Sequence, residues 1–125
     1  MTIASLAYID RLMQSMGIPY AFMRWAGETT PDVYFVGEYI ESPSLSGTES
    51  GHRQSTFILR GFTRGEWLLL EQAKAKIEAN GSKTAILDDG SGIAVFYDTA
   101  TPVSTGVADL KSIKINLNIQ EWRVN

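Results

Sequence analysis

Any histidine-based triad, acid–base pair or imidazole metal site in this chain must use His52, because the sequence holds one histidine. It stands in GTESGHRQ, with Glu49 and Ser50 close by, so a carboxylate and a hydroxyl are within reach in sequence. No strand-to-helix elbow frames the segment, and a solvated or contact-forming imidazole fits it better than a general base. Asp88, Asp89 and Asp98 offer oxygens to a hard cation, but their spacing departs from the EF-hand loop and Asp-Asp-Gly is turn chemistry. Gly90-Ser91-Gly92 is too short for a dinucleotide fingerprint, and no GK[ST] phosphate loop occurs anywhere. With no cysteine, neither a disulfide nor a thiolate metal centre can form. The residues therefore predict no catalytic set, no cofactor and no metal site.

Composition narrows the class further. A chain of 125 residues, 44% apolar and 20% charged, is long enough for one domain with a real core and too apolar for wholesale disorder. The start, MTIASLAYIDR, lacks the basic n-region of a signal peptide, and no apolar run approaches the ~20 residues that span a bilayer. A reducing, cytoplasmic setting fits the absence of cysteine. The net charge of −3 argues against a nucleic-acid or anionic-membrane binder, which needs a basic face. Tyr34 and Tyr39 could stack on bases, but their acidic surroundings oppose it.

The elements that would position any site read clearly in places. Residues 2–16 predict an amphipathic helix, with Leu6, Ile9, Met13 and Met16 on one face, Thr2 as N-cap and Gly17 at the left-handed stop. Ile18 should pack back on Met13, and Pro19 blocks continuation. YAFMRW (20–25) and VYFVGEYIE (33–41) read as strands around the turn-forming GETTPD. Residues 56–62 form a third strand, apolar on both faces and hence central. A second helix is expected over 64–80, ended by Gly81, with Trp67, Leu70, Ala73 and Ile77 inward. Thr63 and Glu66 have capping-box spacing, and Phe62 and Trp67 that of a hydrophobic staple. Residues 85–87 and 93–97 predict a hairpin around DDGSG. A loose loop over 99–108 and a long strand over 111–119 follow. There Ile113, Ile115, Leu117 and Ile119 alternate with polar residues, and Trp122 falls out of phase, which predicts a bulge or bend near Gln120. The order α-β-β-β-α-β-β-β gives one α+β domain, two helices packed on a mostly antiparallel β-sheet.

Charge is segregated along the middle of the chain. Between Trp25 and His52 stand Glu28, Asp32, Glu38, Glu41 and Glu49 with no Lys or Arg; Arg53, Arg60 and Arg64 follow with no acid between them. Two solvated strands would explain this, and so would acidic and basic surfaces that meet across a subunit contact. The Gly-, Ser- and Pro-containing loop over 42–52 has few apolar residues and would order on a neighbour. On the contact reading, Glu38, Glu41, Glu49, His52, Arg53, Arg60 and Arg64 are the candidate interface residues, and association should be salt-sensitive.

PDVYFVGEY, the acidic ESG loop, TFILRGFTRG and the LEQAKAKIE helix, in that order and followed by a hairpin and a long last strand, resemble the tail completion or tail terminator proteins of siphophages and prophages. The likeness is one of residue character over the central third and of topology elsewhere. It implies a tail-terminator-like α+β fold and a non-enzymatic virion protein that caps the tail tube as a ring, generally a hexamer. The implied partners are other copies of the chain, the tail tube protein and the head–tail connector or stopper. No specific nucleic-acid binding, no membrane and no cofactor are implied. The implied location is the tail or neck of the virion, after synthesis in the bacterial cytoplasm. Two alternatives stay open: another small neck or baseplate protein, and a cytoplasmic module that binds a peptide or small ligand.

Overall fold

The computed structural model describes residues 1–41 and 52–122. Helix α1 runs over Ile3–Ser15, and the Thr2 hydroxyl accepts from the Ser5 amide at 3.1 Å, as an N-cap does. Its end is a Schellman stop: the Gly17 amide donates to Gln14 and the Ile18 amide to Met13, with Gly17 at φ 70°. Strands β1 (Tyr20–Phe22), β2 (Val33–Glu41) and β3 (His52–Thr63) precede helix α2 (Trp67–Asn80). Strands β4 (Lys83–Ile86), β5 (Gly92–Ser104) and β6 (Lys111–Trp122) complete a six-stranded sheet of order β1-β2-β3-β6-β5-β4. All neighbours are antiparallel except β1 and β2. The α+β class, the element order and the mostly antiparallel sheet agree with the sequence.

Both helices lie on one face. Ile9 and Met13 of α1, and Leu70, Ala73 and Ile77 of α2, close over Phe35, Phe57, Leu59 and the inward row of β6 from Ile113 to Ile119. The central position expected for β3 holds, between β2 and β6: Phe57 and Leu59 face the helices, and Ile58 on the other face is buried between its cross-strand neighbours Glu38 and Asn116.

Three local expectations are corrected. First, α2 starts at Trp67 rather than 64, and the capping box does not form: Glu66 is the N-cap residue and makes no side-chain cap bond. Thr63 instead ends β3, buried, donating to the Asp32 carbonyl at 2.7 Å and accepting from the Gly65 amide at 3.0 Å. Phe62 makes no staple with Trp67; it stacks on Tyr34 across the strand pair. Second, β1 stops at Phe22, because Met23 turns into the left-handed region at φ 70°. Third, β6 continues unbent to Trp122, and the irregularity lies in β5 between Tyr97 and Thr99. That bulge resets the alternation, so residues 99–104 are strand rather than loose loop. The inward phase of β6 also ends on a carboxylate, one not singled out from the sequence. Glu121 is 4% exposed and its Oε2 accepts from the Thr2 amide at 3.1 Å and the Ser5 hydroxyl at 2.5 Å. A negative charge thus sits on the positive end of the α1 dipole.

Candidate interaction surfaces

Because side chains alternate along a strand, packing both helices on one face leaves the other face of the sheet bare. At the end nearer the break in the described chain, His52 lies opposite Trp122, Trp122 opposite Gly92, and Gly92 opposite Ile86. The rings of His52 and Trp122 stack at 5.5 Å and 18°. Trp122 also lies across Gly92, where an added Cβ would stand 3.5 Å from its ring. Ile86 (78% exposed) and Trp122 (40%) flank Gly92 as an apolar corner, and Phe96 (44%) is exposed on the same face four residues further along β5, opposite Asn118. The middle of the face is polar: Asn116 donates to the Thr99 hydroxyl at 2.9 Å, and the Oδ1 atoms of Asn116 and Asn118 are shut from solvent with no partner among the described residues. Beyond it, Arg60 Nε donates to Glu38 at 2.8 Å beside an aromatic ladder in which Tyr34 lies 5.4 Å from both Trp25 and Phe62.

The candidate interface charges meet largely within one subunit. Glu38 pairs with Arg60; Glu41 pairs with the Met1 amine and stands 3.9 Å from Arg53; Arg64 pairs with Asp109 at 2.8 Å. The bond to the chain's amine, aided by Arg53, holds the Glu41 carboxyl below its ordinary range, and the Arg64 guanidinium does the same for Asp109. Glu49 lies outside the described residues. The segregation of sign along the sequence therefore folds into cross-strand partners, since β2 and β3 run antiparallel and bring acids beside arginines.

His52 Nε2 is closed off without a hydrogen-bond partner among the described residues, so no nucleophile or orienting carboxylate meets it there. No group of three or more His, Cys, Asp or Glu side chains comes together to hold a metal among the described residues. Asp89 serves the turn, accepting from the Ser91 amide at 3.0 Å and its hydroxyl at 2.5 Å, with Gly90 at φ 84°. No helix among the described residues is long and apolar enough to cross a membrane.

The bare face was not legible in the sequence, because the residues that make it distinctive look ordinary alone. Ile86 and Trp122 come from the strands on either side of β5, and only the register places them across Gly92, with Phe96 further along the same face. Clefts among the described residues add to the surface, two of them apolar in lining. One, of about 470 Å³, lies between the end of α1, the start of β2 and α2, lined by Ile18, Val33, Leu69 and Ala73. The other, of about 330 Å³, lies over the aromatic ladder.

No family model matches this chain, and no curated protein matches it. A solved protein chain known only by a serial designation superposes on it with a TM-score of 0.62, over 93% of this chain and 88% of its own length, at 13% sequence identity. At that identity the likeness is one of fold: this α+β arrangement recurs in a solved protein of nearly the same extent.

Proposed function

We propose that this protein is a non-enzymatic phage structural protein of the tail terminator kind, which closes the tail tube as a ring and presents a surface to the head connector. The observation that carries the reading is the bare sheet face, on which Ile86 and Trp122 flank Gly92 at one corner and Phe96 stands exposed further along. A single-domain protein gains nothing from such a patch in isolation, whereas a subunit that is covered in an assembly does. A ring needs two different surfaces that fit each other, and the molecule has dissimilar sides: a helix-covered layer and an open sheet. The ion pairs at Glu38, Glu41, Arg53, Arg60 and Arg64, with His52 near the apolar corner, would stand at the rim of that contact. The order of sequence segments shared with tail terminators supports the same reading.

Deleting the gene from a phage or inducible prophage should give filled heads separated from tails, with tails of abnormal length. Normal virions would end the proposal. The second reading, a cytoplasmic module for a peptide or small ligand, is favoured by the 470 Å³ cleft beside α2. A strict monomer with no virion defect on deletion would favour that module.

A further inference from the structure

The connection between β1 and β2 is built more rigidly than a linker requires. Met23 adopts φ 70°, costly for a residue with a Cβ, yet its side chain stays 61% exposed and buries nothing in return. The strained turn is held at both ends: the Met23 amide donates to Gly37 at 2.8 Å and the Arg24 amide to Phe22 at 2.9 Å. Two residues on, the Trp25 indole donates to the Thr29 carbonyl at 3.1 Å. The chain wraps that indole closely enough that a Cβ on Gly27 would lie 2.9 Å from its nitrogen. Strain and clamping together set the Trp25 ring at the end of the Trp25–Tyr34–Phe62 ladder and hang Met23 and Arg24 over it.

The charge around this cleft is unlike that of the rest of the molecule. Arg24 and Arg60 line it, and Lys114 lies directly opposite Arg60 on the neighbouring strand. Like charges in facing positions are unfavourable unless something negative sits between them. Glu38 answers Arg60, while Arg24 and Lys114 make no ion pair among the described residues, so this corner is cationic on a chain whose net charge is −3. A preformed aromatic floor, an overhanging thioether and two free cations call for a ligand that combines a ring or large aliphatic group with adjacent carboxylates.

We propose that this cleft docks an extended acidic segment of a partner protein, with one aromatic or large aliphatic side chain on the Tyr34 ladder and flanking carboxylates on Arg24 and Lys114. The volume of about 330 Å³ suits one or two side chains rather than a folded surface. A nucleic-acid strand is disfavoured, because Glu38 stands in the cleft itself, where a continuous run of phosphates would meet it and spaced carboxylates need not. The inference does not depend on ring formation.

The test is a titration of the full-length, nitrogen-15-labelled protein with a short peptide carrying one Phe between paired Asp residues. The chain has three tryptophans, so three indole N–H signals report three places. The expected result is a shift of the Trp25 signal with those of Trp67 and Trp122 unmoved. Binding should weaken about tenfold or more in Arg24→Glu and in Tyr34→Ala, and in the wild type when the peptide's Asp residues become Lys or its Phe becomes Ala. Arg24 is exposed and makes no ion pair among the described residues, so Arg24→Glu should melt as the wild type does, and its loss of binding then reports the site alone. Three results would overturn the proposal: no Trp25 shift at about 1 mM peptide, equal binding of the Lys peptide, or tighter binding of an oligothymidine than of the acidic peptide.

Discussion

Thr63 keeps its hydroxyl inside the fold, giving a proton to Asp32 and taking one from the Gly65 amide. Thr63→Ala would leave the Asp32 carbonyl and that amide short of partners in a buried place, a loss of about 1–3 kcal/mol. Glu66 makes no cap bond and is exposed, so Glu66→Ala should change stability by less than about 0.5 kcal/mol. Denaturant titration of the pair distinguishes this from a reciprocal capping box, in which both losses would be alike. Glu41 supplies the pH dependence. Its folded carboxyl is held below the ordinary 4.5, first by the hydrogen bond from the chain's amine and then by that amine's charge and Arg53. A carboxylate whose pKa falls on folding contributes stability above its unfolded value and loses it as the pH drops through the folded one. The group is two-fifths exposed, so its share is at most about 1 kcal/mol. Glu41→Gln should therefore lower the melting temperature slightly at neutral pH and leave less acid-dependent loss below about pH 4.5. An unchanged acid limb would mean the pair is spent in solvent.

At the scale of elements, the parts that read correctly are those whose side chains obey one period throughout. Helix α1, with its N-cap Thr2 and its Schellman stop at Gly17, follows from local chemistry alone, and so does the alternation of β6 from Ile113 to Ile119. The second half of β5, from Thr99 on, was hidden because the bulge at Asp98 shifts the phase midway, and because Pro102 reads as a breaker. Beyond Val95 no strand pairs its outer side, so Pro102 sits on an edge where a missing N–H does no harm. Glu121 was hidden for a different reason: a carboxylate at an inward position looks solvent-facing until α1 is placed over it. The bare face needed register, which no single segment encodes. Register also explains two glycines. Phe35 lies over its cross-strand neighbour Gly61, where a Cβ would come 2.5 Å from the ring, and Gly37 likewise accommodates Phe57 and the Tyr20 hydroxyl. Gly61→Ala should cost about 1–3 kcal/mol by displacing the fully buried Phe35 ring. Near-native stability in a denaturant titration would show that β2 and β3 can part enough to admit a methyl group.

For the whole molecule, the question is what drives subunits together if they assemble. Long-range charge attraction is a weak candidate, since Glu38, Glu41, Arg53, Arg60 and Arg64 already have partners within the subunit. Exposed pairs of that kind contribute little and fade as the Debye length shrinks to ~3 Å at 1 M salt. The exposed Ile86, Phe96 and Trp122 of the bare face have no such outlet, and their burial strengthens with salts that favour exclusion of apolar surface. The open edges are poor alternatives. Strand β5 guards its outer edge with the bulge and Pro102, and β2 beyond Gly37 presents Glu38 and Glu41. Association through the bare face should therefore survive about 1 M salt, and Phe96→Ser combined with Trp122→Ser should abolish it while the monomer still folds. Both side chains lie outside the helix-covered core, so circular dichroism of the double variant should match the wild type. Native mass spectrometry at high protein concentration gives the answer. Oligomers that dissolve in salt and ignore the double substitution would return the contact to the charged residues.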